Sequence, residues 1–190
     1  MTYTVAEHFR ATAVHIRSGG QPRWGEIEQY VEKVAFEMLD AIGKEKTTIL
    51  ERLCIAFALF HQEYRPLPLS VEEAKQVAAK IDLMAVQIGI AKSQILPFLK
   101  GKRMLRLPGP YRLLKALYER REATYENLHV GTEWQDMWDV RRQLGAFKAA
   151  GFVEMNSKTK RYSVTASGKR ELRAIMALHR QKGLNTRPRP

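Results

Sequence analysis

The chain has 190 residues, is 45% hydrophobic and carries a formal net charge of +12. That length can bury one generous core or two small ones, and the ordinary apolar content excludes global disorder. The longest apolar run, Ile55 to Phe60, is far shorter than the roughly 18 residues a bilayer span needs, so no membrane segment is expected. The single cysteine, Cys54, excludes a disulfide within one chain and fits a reducing cytoplasm.

The elements follow in chain order. Residues 1–19 read as an amphipathic helix with Thr4 and Glu7 at capping-box spacing, not as a signal peptide. Gly19-Gly20-Gln21-Pro22 reads as a linker. Ile27, Val31, Val34, Met38 and Ile42 recur at three and four, which predicts a helix that Gly43 can end. A second apolar helix is predicted from Thr47 to Tyr64, stopped by Pro66 and Pro68. Its apolar residues, including Ile49, Leu50, Leu53, Ile55, Phe57, Leu59 and Phe60, go most of the way round, so something must cover it. The cover could be the preceding helix, the C-terminal helix after Gly168, or a second copy of the chain. Cys54 lies on this stripe and reads as a buried, inert thiol.

The middle segment opens with Ser70-Val71-Glu72-Glu73, a capping-box spacing. Met84 to Ile95 follows, with Ala85 small enough for a helix crossing, Gly89 permitting a turn, and Ile90, Ile95 and Leu99 placed to lock a second helix onto the first. Residues 70–103, ending in Leu99-Lys100-Gly101-Lys102-Arg103, resemble the helix-turn-helix of the Cro and phage-repressor class. The resemblance implies that Lys92, Ser93, Gln94 and Leu96 lie on an exposed recognition face. Pro97 departs from the pattern, because a proline removes a backbone donor and crowds the preceding turn.

Pro108-Gly109-Pro110 breaks the chain and begins something new. A helix is predicted from Tyr111 to Arg121 on the apolar face Leu113, Leu114, Leu117 and Tyr118. Val140, Leu144 and Phe147 fall at helical spacing, which sends Arg141, Arg142 and Lys148 to other faces. Gly151 sits where a helix needs a left-handed residue after its end. Phe152-Val153 starts a strand, Asn156-Ser157 turns it, Tyr162-Ser163-Val164 returns, and Thr165 is placed to cap the last helix.

This region, roughly Pro108 to Leu178, resembles the winged helix-turn-helix superfamily, and within it regulators of the MarR and PadR kind. The residues that carry the resemblance are Val140, Leu144, Phe147, Gly151, Phe152, Val153, Tyr162, Val164, Thr165 and Gly168. The resemblance implies a second helix in the short turn Thr124 to Leu128, and the usual short turn between it and the recognition helix is replaced by His129 to Asp139, so that helix starts early or carries an extension. Trp134, Met137 and Trp138 within it read as a hydrophobic anchor, with an apolar effector pocket as the functional alternative.

The resulting expectation is a mainly α protein: a helical region over residues 1–107, a winged helix-turn-helix domain over residues 108–181 with a two-stranded hairpin wing, and a basic disordered tail over residues 182–190. Charge points to the same end, with net −1 for residues 1–69, +4 for 70–107 and +9 for 108–190. Arg141, Arg142 and Gln143, with Gln135 and Asp139 upstream, are the candidate base readers in a major groove. Lys158, Lys160 and Arg161 are the candidate wing contacts to phosphate, and Lys92, Ser93 and Gln94 belong to the middle motif. Arg112, Lys115, Lys169 and Arg170 are second-rank phosphate candidates.

The five histidines are scattered and no nucleotide or metal motif occurs, so neither an enzyme nor a cofactor is expected. The expected function is sequence-specific binding of double-stranded DNA by a small cytoplasmic transcriptional regulator, of the kind a mobile element carries, acting as a homodimer through its N-terminal helices. Two alternatives stand beside it: a protein-interaction module of a replication, segregation or secretion assembly, and a regulator that binds RNA.

Overall fold

The computed structural model describes residues 4–67, 72–130 and 136–185. The chain divides into two compact units, residues 1–96 and 97–190. Both are built mainly of helices, and no helix among the described residues is long and apolar enough to cross a membrane.

The first unit packs α1 (Val5–Arg17), α2 (Trp24–Gly43), α3 (Thr47–Tyr64) and α4 (Glu72–Ile90). The capping box at the start of α1 is formed: the Glu7 amide donates to Thr4 Oγ1 at 3.3 Å, and the Thr4 amide donates back to Glu7 Oε2 at 2.9 Å. The Thr4 amide and hydroxyl, both donating to the Glu7 carboxylate, hold it below its ordinary range. Apolar spacing then selects the buried faces, with Phe9 and Ile16 from α1, Ile27, Val31, Val34 and Met38 from α2, and Leu50, Leu53, Phe57 and Phe60 from α3. The question of what covers α3 is answered within this unit: α1, α2 and α4 all pack on it. The C-terminal helix after Gly168 packs on elements of its own unit. Cys54 is buried, and burial pushes its thiol up.

The middle segment corrects the sequence reading. No turn forms at Gly89. α4, a π-helical stretch Ala91–Ile95 and α5 (Leu96–Met104) follow one another without an intervening loop, so residues 84–103 do not make a helix-turn-helix. Pro97 gives the physical reason. Proline lacks the amide that would bond back and its ring crowds the carbonyl of the preceding turn, and a widened turn is one way a helix absorbs both. Ahead of Pro97 the Leu96 amide reaches back five residues to the Ala91 carbonyl, and Ser93 Oγ donates to the Gly89 carbonyl at 2.7 Å. Ser70 and Val71, where the capping box was expected, lie outside the described residues.

The second unit takes in α5, α6 (Pro108–Arg120), β1 (Glu122–Ala123), α7 (Tyr125–Val130), α8 (Met137–Ala149), β2 (Val153–Met155), β3 (Tyr162–Val164) and α9 (Ala166–Asn185). Its core joins Leu105, Leu113, Leu114 and Leu117 to Leu128, Val140, Leu144, Phe147, Phe152 and Leu172, with Phe98 and Met104 packed against them. That packing is why the unit begins ahead of Pro108. Each of the larger side chains, fully buried, contributes about 1.5–3 kcal/mol.

The sheet has three antiparallel strands in the order β1-β3-β2, one more than the expected hairpin. Val153 pairs with Val164 and Met155 with Tyr162 on one side of β3, and Ala123 pairs with Tyr162 on the other. The end of α8 follows sequence closely. Gly151 has φ +72°, its amide bonds to the Lys148 carbonyl at 3.0 Å, and the Phe152 amide bonds to the Phe147 carbonyl at 2.8 Å, which closes the helix and aims β2. Thr165 caps α9 by accepting from the Gly168 amide at 3.1 Å. α9 runs on to Asn185, so residues 182–185, read as disordered tail, are helical, and residues 186–190 lie outside the described residues.

Candidate nucleic-acid interface

α8 begins at Met137 because Asp136 caps it, its Oδ1 accepting from the Trp138 amide at 2.8 Å. Burying Val140, Leu144 and Phe147 fixes the rotation of the helix. Trp138, Arg141, Arg142, Gly145 and Lys148, spaced by three, one, three and three, then share the opposite face, and all five are exposed. Nothing lies within 4 Å of a Cβ built on Gly145, so no packing inside the protein requires a glycine there.

The cations on this face differ in their commitments. Arg142 donates to Asp139 Oδ1 at 2.7 Å, a pairing one helical turn apart that is exposed and therefore weak. The Arg141 guanidinium lies 5.9 Å from the centre of the Tyr125 ring on α7, which steers its plane without neutralising its charge. Tyr125 hydrogen-bonds to Glu126, and that bond raises its hydroxyl above the ordinary range. Arg141 is thus the centre of the basic stripe.

Gln143 departs from the role expected of it. It is half-buried beside the core positions, and its Oε1 is buried with no hydrogen-bond partner among the described residues, as is His129 Nε2. Asp139 is half-buried and turned to Arg142. Gln135 and Trp134 lie outside the described residues. The hydrophobic-anchor reading is overturned for the two members of the cluster that are described: Trp138 is 68% exposed and Met137 44%. The anchor reading took spacing within the cluster; the rotation set by Val140, Leu144 and Phe147 turns position 138 away from the core.

The β2–β3 hairpin presents the second group. Asn156 Oδ1 accepts from the Lys158 and Thr159 amides at 2.9 and 3.2 Å, which organises the tip. Lys160 adopts φ +56°, and it and Lys158 are exposed with no ion pair among the described residues. Arg161 is held instead by Glu122 Oε1 at 2.5 Å, because β1 lies beside β3. The third strand, missed in the sequence because two residues show no alternation, therefore redirects one of the three expected wing cations.

Lys92, Ser93 and Gln94 are exposed on the π-helical stretch of the first unit, and the Ser93 hydroxyl is taken by Gly89. Among the second-rank cations, Lys115 pairs with Glu119 at 3.6 Å and Arg170 approaches Glu171 at 3.9 Å. Lys169 lines a shallow mixed-charge cleft with Glu119, Arg121, Glu154 and Ser163. The first unit has its own small cleft, where His8 stacks on Tyr30 with ring centroids 3.4 Å apart and His15 Nε2 meets the Gln21 carbonyl at 3.2 Å. No group of three His, Cys, Asp or Glu that could hold a metal occurs among the described residues.

Comparison with protein-family models, with curated proteins and with solved structures returned no match to this chain.

Proposed function

We propose that the second unit binds double-stranded DNA as a winged helix-turn-helix, with the exposed face of α8 in a major groove and the β2–β3 hairpin on flanking backbone, and that the protein is a small sequence-specific transcriptional regulator acting as a homodimer. The observation that carries the reading is the exposed basic stripe on α8, centred on Arg141, in the same unit as a hairpin tipped by Lys158 and Lys160. The order α6, β1, α7, α8, β2, β3, α9 supports it, since three helices leading into a hairpin are what such a domain needs.

Charge supports it further. Residues 97–190 hold 21 Lys and Arg against 8 Asp and Glu, net +13, while residues 1–96 hold 11 against 12, net −1. Dividing the chain where its two units divide thus assigns the whole surplus to one of them, the footprint of a polyanion-binding module. In this reading Arg141 reads guanine through two hydrogen bonds, Trp138 covers an apolar base edge such as a thymine methyl, and Gly145 lets the helix axis come close to the groove floor. Lys158 and Lys160 hold phosphate and carry no sequence information.

The test is fluorescence anisotropy of the full chain with a random duplex pool and with its own upstream DNA, at low and near-physiological salt. Tight binding to one sequence that survives the higher salt is expected, and Arg141→Glu with Lys158→Glu and Lys160→Glu should abolish it while the fold persists. Weak binding lost with salt would refute sequence specificity, and preference for a hairpin RNA at equal salt would move the same surface to RNA. One observation favours a second reading as a protein-interaction module: Val130, 87% exposed, and Trp138 leave apolar surface at the ends of α7 and α8. There, polar substitution of Trp138 would remove a partner and charge reversal would be silent.

A further inference from the structure

The first unit leaves a large apolar surface uncovered. α4 turns Ile81, Met84 and Ile88 into the core, yet Leu83 is 62% exposed, Val86 61% and Ile90 45%. With exposed Ala79 these fall at intervals of four, three and four, the spacing of a coiled-coil seam, on the side of the helix away from its own core. On α2, Phe36 is 74% exposed and Leu39 63%.

The two stripes lie side by side. Trp24 at the start of α2 meets Tyr64 at the end of α3, ring centroids 6.0 Å apart, so α2 and α3 run antiparallel. His61 near the end of α3 lies 3.4 Å from Asp82, while Lys92 acts on the Cys54 thiol earlier in α3, so α3 and α4 are antiparallel as well. α2 and α4 are therefore parallel neighbours, and they pack on each other. Lys80 Nζ fixes their register by bonding Glu28 at 2.6 Å and Glu32 at 3.2 Å. One and a half turns further on, Phe36 stands level with Val86 and Leu39 with Ile90.

We infer that this α2–α4 face is the homodimer interface, and that its occupant is the same face of a second copy of this chain. Three observations select a second copy. The heptad-like stripe on α4 is self-complementary under a two-fold axis near Leu83 and Val86. The five large side chains expose on the order of 500 Å² together, which with a polar rim approaches the roughly 800 Å² each partner gives to a standard interface. The rim charge also varies along the helices. Glu28, Glu32 and Asp82 outnumber Lys80 at one end, whereas Lys44 and Lys46 balance Asp40 and Glu45 at the other. Antiparallel copies keep the two acidic ends apart.

This assignment rests on the homodimer part of the proposed function and is independent of what the second unit binds. Sedimentation velocity of the full chain over a concentration series should give a species of twice the 21.9 kDa chain mass. Val86→Lys should weaken the dimer by about thirtyfold or more, the factor expected at a central anchor, and Leu178→Lys, an exposed apolar site in the other unit, should leave it unchanged. The uncharged pair Leu83→Gln with Val86→Gln should do the same as Val86→Lys, with circular dichroism confirming an unaltered helical spectrum. A wild-type chain that stays monomeric overturns the homodimer itself. A dimer indifferent to both variants overturns this face alone, and duplex binding measured on the same samples reports separately on the DNA reading.

Discussion

Gly168 gives the sharpest test of how the second unit is built. It is the third residue of α9, and a Cβ there would sit 2.2 Å from the Phe152 carbonyl oxygen, 2.9 Å from its carbon and 2.9 Å from Val164 Cγ1. Two of those atoms are backbone, so a rotamer change cannot relieve the contact. The start of α9 must move off β2 by about an ångström, which breaks the bond from the Thr165 amide to the Phe152 carbonyl, now 3.0 Å, and strains the one from Thr165 Oγ1 to the Gly151 carbonyl, now 2.6 Å. Overpacking costs about 1–3 kcal/mol and the lost hydrogen bond about 1, while alanine regains up to about 1 in helix propensity. Gly168→Ala should therefore lose about 1–3 kcal/mol, a large part of the stability of a small domain. Gly145→Ala is the internal control. It is the same chemical change in a helix with open space around it, and should gain up to about 1 kcal/mol. Urea unfolding followed by circular dichroism, with amide exchange in α8 to report on the second unit alone, reads both. A Gly168→Ala chain within about 0.5 kcal/mol of wild type, a typical change at an unconstrained surface site, would refute the packing argument. If α8 lies in a groove, Gly145→Ala should also weaken duplex binding despite the firmer fold.

Other outcomes follow from the cited contacts. Lys158→Gln and Lys160→Gln should each lower the slope of log affinity against log salt by about 1, with no change in preferred sequence; an altered preference would mean the hairpin reads bases. Thr4→Ala should remove the capping box and cost about 1 kcal/mol, measured as a lower urea midpoint with unchanged slope. Burial lowers the pKa of His8 from its ordinary 6.5, so the folded state binds fewer protons there than the unfolded one. Stability from this group is complete above pH 6.5 and is lost as pH falls toward the folded value. His8→Gln should flatten that part of the pH profile, and a profile equally steep in the variant would assign the proton to another group.

Sequence legibility divided by the kind of physics involved. Helices defined by a single apolar stripe, such as those around Ile27 to Ile42 and Val140 to Phe147, were readable because burial sets both their existence and their rotation. The Gly151 and Thr165 ends were equally readable, since each depends on one residue's local chemistry. The middle motif was misread for a local reason. Gly89 permits a turn without requiring one, and the chain stays helical by widening around Pro97. β1 was invisible because Glu122-Ala123 is a strand only by virtue of its neighbour β3.

The candidate site shows the same distinction more consequentially. Counting charge identifies Arg141, Arg142, Lys158, Lys160 and Arg161 as one class, yet the fold sorts them. Arg161 is returned to Glu122 and Arg142 to Asp139, leaving Arg141 and the two hairpin lysines without a carboxylate partner among the described residues. Because exposed pairs are worth about 0–1 kcal/mol, a polyphosphate could displace either carboxylate. In the proposed duplex-binding reading, the pairs therefore set an order of engagement rather than a veto. Removing the partner should show it: Asp139→Asn and Glu122→Gln should each strengthen nonspecific duplex binding at low salt, whereas an unchanged affinity would place Arg142 and Arg161 away from the bound strand.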